Sequence, residues 1–175
     1  PKSGLQGYLF AKLGGLLQRK LGKMVGIQPG ADMKQAALLA QNNKKSILLL
    51  DQDITLTLKK LSKTITFKEK MRFLSDLLFG WAKKQPKIKI DLKNVPEQEL
   101  ITKLMLQLKD RYPSFYKVLV HDRNVFMAKK LAAASMQHSD KTFLVVIGAG
   151  HLQGMQEEFK KIIIRINKKS DGVKQ

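Results

Sequence analysis

An apolar run that ends in glycines and a histidine, F-L-V-V-I-G-A-G-H over residues 143–151, most constrains what this chain can fold into. An apolar run without polar alternation is typical of a strand covered on both faces, as in a parallel sheet. A second such run, Ser46–Leu50, ends in Asp51, and Ile162–Ile166 is a candidate third strand. The pattern therefore predicts that Thr142–Ile147 and Ser46–Leu50 are strands of a small, mostly parallel sheet.

Most of the remaining sequence has the spacing of amphipathic helices. Thr66 and Glu69 have the three-residue spacing of a capping box at the start of one of them. Because two or three strands are few for a sheet, we expect an incomplete α/β domain, rich in helix, with a large helical insertion between Asp53 and Arg123. The predicted helices cover residues 5–25, 31–40, 54–61, 67–81, 96–108 and 122–137, with a last one from about Gln156, in a domain of residues 1–166 followed by a charged tail, 167–175.

The charge balance is strongly basic, since 33 Lys and Arg against 14 Asp and Glu give a net charge of +19. Such a charge attracts nucleic acids, acidic lipids and acidic proteins alike. The basic residues are mostly lysines spread over every segment, whereas arginine, which makes bidentate contacts to bases and phosphates, occurs only five times. We therefore expect a solvated lysine-rich surface first, an anionic membrane surface or an acidic partner second, and nucleic acid last.

The chain has no cysteine, which excludes disulfides and thiolate metal sites and fits a reducing compartment. Its apolar runs are too short to cross a membrane, and no signal peptide is recognisable. These features favour a cytoplasmic or membrane-associated protein over a secreted one. The first residue is Pro1 rather than Met, which suggests a fragment or a processed chain.

Polar residues follow both predicted strands at their carboxyl ends, where open α/β sheets bind ligands. Asp51 and Asp53 follow the first strand, and His151 follows the other after two glycines. A neutral imidazole is a common metal ligand, and it is equally suited to act as a general base. Two simpler roles compete with these: His151 as a helix-start residue bonded to a backbone group, and the two aspartates as ordinary helix caps.

Arg123 lies in the first turn of the predicted helix Asp122–Gln137, where the helix dipole favours an anion instead of a cation. A guanidinium at this position is explained if it pairs with Asp51 or Asp53, or with a bound anion such as a carboxylate. The competing interpretation is a solvated arginine. We expect the pairing role.

Four segments of the chain, in this order, together resemble the TraB family. That family includes the pheromone-shutdown proteins of bacterial conjugation, many archaeal proteins of unknown role and, as relatives, the Tiki metalloproteases. The most specific match is Gly148-x-x-His151 followed by Gly154. The four segments are P-K-S-G-L-Q-G-Y-L (1–9), L-L-L-D-Q-D-I-T-L-T-L-K (48–59), D-R-N-V-F-M-A-K-K-L (122–131) and V-V-I-G-A-G-H-L-Q-G-M (145–155).

The resemblance implies a site built from two G-x-x-H motifs and a glutamate, with a divalent metal in the Tiki branch and a peptide or protein as substrate. By position, His151 is similar to the second histidine, and Arg123 and Asn124 are similar to the family's R-N pair. Asp51 and Asp53 are similar to its D-R-D element. His151, Arg123 and Asn124 are thus the implied catalytic residues, and His151 with the two aspartates the implied metal ligands.

The sequence departs from the family pattern in two places. The first G-x-x-H motif and its glutamate are not found, so the chain resembles the carboxyl-terminal portion of the domain. Gln52 replaces the arginine of the D-R-D element. Since a catalytic zinc site needs about three protein ligands, we expect manganese, cobalt or zinc to be held weakly and hydrolysis to be absent in this chain alone. A truncated sheet would also favour self-association.

Overall fold

In the computed structural model, residues 30–79 and 98–171 are described, and every regular element among them is a helix. The predicted α/β fold with a parallel sheet is therefore wrong for these residues, which contain no strand. The helix predicted over residues 5–25 lies outside the described residues. The helices are α1 (Ala31–Asn42), α2 (Ile54–Thr64), α3 (Phe67–Phe79), α4 (Gln98–Arg111), α5 (Pro113–Tyr116), a π-helix (Lys117–His121), α6 (Asp122–Gln137) and α7 (Ala149–Asp171).

The chain divides into two compact units. Of the described residues, the first unit holds 54–79 and 98–119, and the second holds 30–53 and 120–171. Each unit has its own buried apolar residues: Leu61, Ile65, Ile101 and Val118 in the first, and Val120, Met127, Ala128, Ala132 and Met155 in the second. None of the helices in the described part of the chain has the length and hydropathy that a membrane span needs.

Glu69 caps the starts of two helices in the first unit. Its Oε2 accepts hydrogen bonds from the backbone N–H of Thr66 at 3.1 Å and from the Thr66 hydroxyl at 2.8 Å. The Thr66 Oγ1 in turn accepts from the Glu69 N–H at 3.2 Å, which confirms the predicted capping box. The Oε1 atom accepts from the N–H of Ser114 at 2.7 Å, so the same buried carboxylate also caps the first turn of α5.

A polar and aromatic cluster joins α3 to the start of α5. Arg111 donates two hydrogen bonds to Asp76, from Nε at 2.7 Å and from Nη2 at 2.5 Å, and the Tyr112 hydroxyl donates to the same carboxylate. The ring of Tyr112 meets Phe115 edge to face at 5.6 Å, and Phe115 stacks on Phe73 at 5.8 Å. These contacts stabilise the chain where α4 ends and α5 begins, and the Tyr112-Pro113 sequence predicts a helix break at this position.

The packing of α6 against α7 forms the core of the second unit. Met127 and Ala128 of α6 and Met155 of α7 are its buried centre. The boundaries predicted for α6, Asp122–Gln137, are confirmed, whereas α7 begins at Ala149 and not near Gln156. Apolar residues around this centre are Leu50, Leu131, Val145, Ile147, Phe159 and Ile162.

The two apolar runs predicted as strands have no regular secondary structure, and each places residues against this helix pair: Leu50 from the first run, and Val145 and Ile147 from the second. Val145 and Ile147 pack against the core, while Leu144 and Val146, which alternate with them, are exposed, Leu144 by 92%. A continuous apolar run signals burial on two faces, but in the described residues only one face is covered and no backbone ladder forms. The third predicted strand, Ile162–Ile166, lies inside α7, where Ile162 shares the core-facing side with Phe159 three residues earlier.

Candidate active site

The first turns of α6 and α7 bring together an asparagine and a histidine. Asn124 is the third residue of α6, and His151 is the third residue of α7. The Oδ1 atom of Asn124 lies 2.7 Å from the Nδ1 atom of His151. Asn124 is buried and the imidazole is half-buried, so a fixed amide orients a ring that keeps access to solvent.

This hydrogen bond sets the tautomer of His151. A carbonyl oxygen only accepts, so Nδ1 carries the proton and Nε2 keeps its lone pair. Burial lowers the pKa of His151, the positive charge of Arg123 lowers it further, and the negative charge of Asp51 partly opposes both. The pKa is therefore below its ordinary value, and the ring is neutral at neutral pH. A neutral imidazole with an unprotonated Nε2 suits a metal ligand or a general base.

Arg123 and Asp51 form a bidentate pair beside this histidine. The guanidinium donates from Nε to Oδ1 of Asp51 at 3.0 Å and from Nη2 to Oδ2 at 2.5 Å. The backbone N–H of Gln52 also donates to Oδ1, at 2.7 Å. Partial burial by itself raises the pKa of Asp51, but the hydrogen bonds and the charge of Arg123 outweigh it and lower the pKa overall. The predicted pairing of Arg123 with an aspartate is confirmed.

Four of the five residues predicted for the site thus lie in one region of the second unit. Asp51 and His151 interact electrostatically, and Arg123 and Asn124 are neighbours in α6. Asp53, the fifth, is an exposed carboxylate directly before α2. The prediction placed these groups at the edge of a sheet. In the structure Arg123, Asn124 and His151 lie in the first turns of two helices, and Asp51 follows Leu50, which packs against the same helix pair.

The structure also shows why α7 begins where it does. The N–H of His151 donates to the carbonyl of Gly148 at 2.9 Å, which closes the first turn of α7 inside the G-x-x-H motif. The competing interpretation, a helix-start residue bonded to a backbone group, describes the position and the backbone N–H of His151, whereas its ring bonds to the Asn124 side chain. Sequence reasoning missed the contact between Gly154 and Asn124, which periodicity does not reveal.

The described residues do not complete a metal centre by themselves. Among them, no group of three or more His, Cys, Asp or Glu side chains is placed to hold a metal ion. His151 offers one nitrogen, and Asp51 is engaged by Arg123. A catalytic zinc site takes about three protein ligands, so His151 would supply one ligand and the described residues would form only part of such a site.

Comparison with known proteins identifies the family. The TraB/PrgY/gumN family matches residues 1–162. The uncharacterized protein MJ1365 of Methanocaldococcus jannaschii is 38% identical over 147 residues, which are 83% of this chain and 36% of that protein. The chain therefore spans about a third of the length of this relative. No solved structure matches the chain. With a family match over nearly its whole length, the chain belongs to the TraB/PrgY/gumN family.

Proposed function

We propose that this chain supplies one histidine and its supporting groups to a hydrolytic centre, as a portion of a TraB/Tiki-like domain that acts on peptides or proteins. The other groups of that centre would come from residues other than those described. In this proposal Nε2 of His151 is the working atom, either as a ligand of a divalent metal or as a base. The pheromone-shutdown role of relatives is the alternative biological setting for the same centre.

One observation carries the proposal, the 2.7 Å contact between Nδ1 of His151 and Oδ1 of Asn124. Metal-binding and catalytic histidines are commonly fixed in this way, through the nitrogen that does not take part in the chemistry. The lowered pKa of His151 keeps Nε2 unprotonated at neutral pH. Arg123 would hold Asp51 in place and add positive charge near an anionic group of the substrate.

Metal titration tests the ligand role. Wild-type chain is titrated with Mn²⁺, Co²⁺ or Zn²⁺ in a calorimeter and compared with His151→Ala and with His138→Ala, which removes a histidine just beyond the end of α6. We expect weak binding that His151→Ala reduces by at least about tenfold. His138→Ala should bind like the wild type. Equal affinity in all three proteins would contradict the ligand role.

A protease assay with the same metals tests the second part of the proposal, that the chain alone is incomplete. We expect no turnover of a peptide library by the isolated chain, since one ligand does not hold a catalytic metal. Robust turnover that disappears in His151→Ala would show instead that the chain carries a complete centre, and the proposal of missing groups would be wrong.

A non-enzymatic function is favoured by a separate observation on α3. Phe67, Met71 and Leu74 follow the spacing of one helix face, and all are exposed, Phe67 by 78%. Lys68 and Lys70 lie on the same helix, in a chain of net charge +19. An apolar stripe with lysines around it is the pattern of a helix that lies on an anionic membrane surface. The second candidate function is therefore binding to such a surface.

Co-sedimentation with vesicles separates this candidate from the first. Wild-type chain is mixed with neutral vesicles and with vesicles that contain an anionic lipid, at low and high salt. We expect salt-sensitive binding to the anionic vesicles only, and loss of binding in Phe67→Ser/Met71→Ser but not in Leu106→Ser, an exposed apolar residue of α4. Binding that is unaffected by the double substitution would rule out the α3 stripe.

A further inference from the structure

Gly154 lies in the sixth position of α7, against the side chain of Asn124. A Cβ atom built on Gly154 would be 2.2 Å from Nδ2 of Asn124 and 3.3 Å from its Cγ. The distance to Nδ2 is far shorter than any contact that a Cβ atom makes, and the distance to Cγ is a tight contact. Asn124 can therefore occupy its place only because residue 154 has no side chain.

Helix formation does not explain a glycine here. In a helix interior glycine is less favourable than alanine by about 1 kcal/mol, and no unusual backbone angle is found at Gly154. Only 3% of Asn124 is exposed, so its side chain is enclosed by neighbours. If a methyl group pushed the amide away, Oδ1 would have to leave Nδ1 of His151.

We infer that Gly154 is a positioning residue, which fixes the ring of His151 by admitting the Asn124 amide. The inference concerns the proposed hydrolytic site, and its functional meaning rests on that proposal. It links two parts of the G-x-x-H-x-x-G sequence that are three residues apart on α7. The histidine is the working group, and the second glycine makes room for the residue that orients it.

Gly148 provides a matched control within the same motif. A Cβ atom at Gly148 would meet only Cδ2 of His151, at 3.8 Å, which is an ordinary van der Waals contact. The backbone of Gly148 is not in the left-handed region, so alanine is not strained there. Gly148→Ala, one residue before the start of α7, therefore changes the same motif without the clash with Asn124 that Gly154→Ala introduces.

The tautomer of His151 is the direct readout, and it needs no metal. In ¹⁵N-histidine-labelled protein, two-bond nitrogen–proton spectra distinguish a ring protonated at Nδ1 from one protonated at Nε2. The chain has three histidines, and His121→Gln and His138→Gln assign the signals. We expect the Nδ1–H form in the wild type and in Gly148→Ala, and loss of this form in Gly154→Ala. An unchanged Nδ1–H form in folded Gly154→Ala would overturn the inference.

If Gly154→Ala does not fold, the double variant Asn124→Ala/Gly154→Ala decides. Since the clash is with Asn124, removing that side chain should restore the circular dichroism spectrum and urea midpoint of Asn124→Ala, and failure to do so would overturn the inference. Metal titration is run separately on the same proteins, with about 10- to 100-fold weaker binding expected for Gly154→Ala. A lost tautomer with unchanged metal affinity would support Gly154 as a positioning residue and contradict the proposed function alone.

Discussion

At the scale of single residues, the candidate site consists of four side chains, Asp51, Arg123, Asn124 and His151, and of the space left by Gly154, which has none. The positions of Asp51, Arg123 and His151 at predicted strand and helix ends indicated them as candidates, and the family resemblance added Asn124. The sequence was not sufficient to show which atoms meet. The partner of Arg123 was left open between Asp51, Asp53 and a bound anion, and nothing in residue spacing indicates that Asn124 faces His151. The role of Gly154 depends on a distance, which a sequence does not contain.

Replacing Asn124 by aspartate tests how this residue sets the ionisation of His151. A carboxylate at the Oδ1 position favours the protonated imidazole, whereas the amide leaves burial as the main influence on its pKa. We expect the pKa of His151, followed by NMR titration, to lie below its ordinary value in the wild type and to rise in Asn124→Asp. An unchanged pKa would mean that the two side chains do not meet.

The lowered pKa of His151 also predicts how the free energy of unfolding changes as the pH falls. The folded protein binds fewer protons at His151 than the unfolded chain does between the lowered pKa and the ordinary value. The contribution to the free energy of unfolding is therefore fully present above the ordinary pKa and is lost as the pH falls through the lowered one. Urea unfolding of the wild type should weaken across this window more steeply than that of His151→Gln, which does not titrate there. Equal slopes would contradict the lowered pKa.

At the scale of elements, the sequence predicted those features of the helices that depend on interactions between residues close in sequence. The capping box at Thr66 and the bounds of α6 follow from side chains within a few residues of each other. The strand predictions were wrong because an apolar run indicates that a segment is buried, but does not indicate whether a sheet or a helix pair buries it. Thr142–Ile147 lies on the α6–α7 pair with one covered face, and the apolar segment around Ile162 belongs to a helix.

Glu69 connects two elements, which makes it the most informative position in the first unit. Its carboxylate accepts from Thr66 at the start of α3 and from the Ser114 N–H in α5. Removing it would leave the buried N–H of Ser114 and the partly buried donors of Thr66 without their acceptor, at a cost of about 1–3 kcal/mol. We expect Glu69→Ala to lower the free energy of unfolding by this amount in urea titrations. Glu99→Ala, an exposed acid in the first turn of α4, should change it by less than about 0.5 kcal/mol.

At the scale of the whole molecule, charge and family are the features that the sequence determines best. The net charge of +19 is a property of composition, and the family match covers residues 1–162. The sequence did not predict the architecture. The described residues form two helical units, and the predicted sheet is wrong for them. Apolar runs occur both in strands and in irregular segments that pack against helices. Only the tertiary structure distinguishes the two cases.

The proposed site depends most on the ring of His151 being held through Nδ1. A two-bond nitrogen–proton spectrum of ¹⁵N-histidine-labelled wild-type chain, recorded without metal at about pH 8, where an ordinary imidazole is neutral, measures this directly. The proposed site geometry predicts a proton on Nδ1 and a bare Nε2, with the preference lost in Asn124→Ala. A proton on Nε2, or a rapidly exchanging mixture in the wild type, would contradict it.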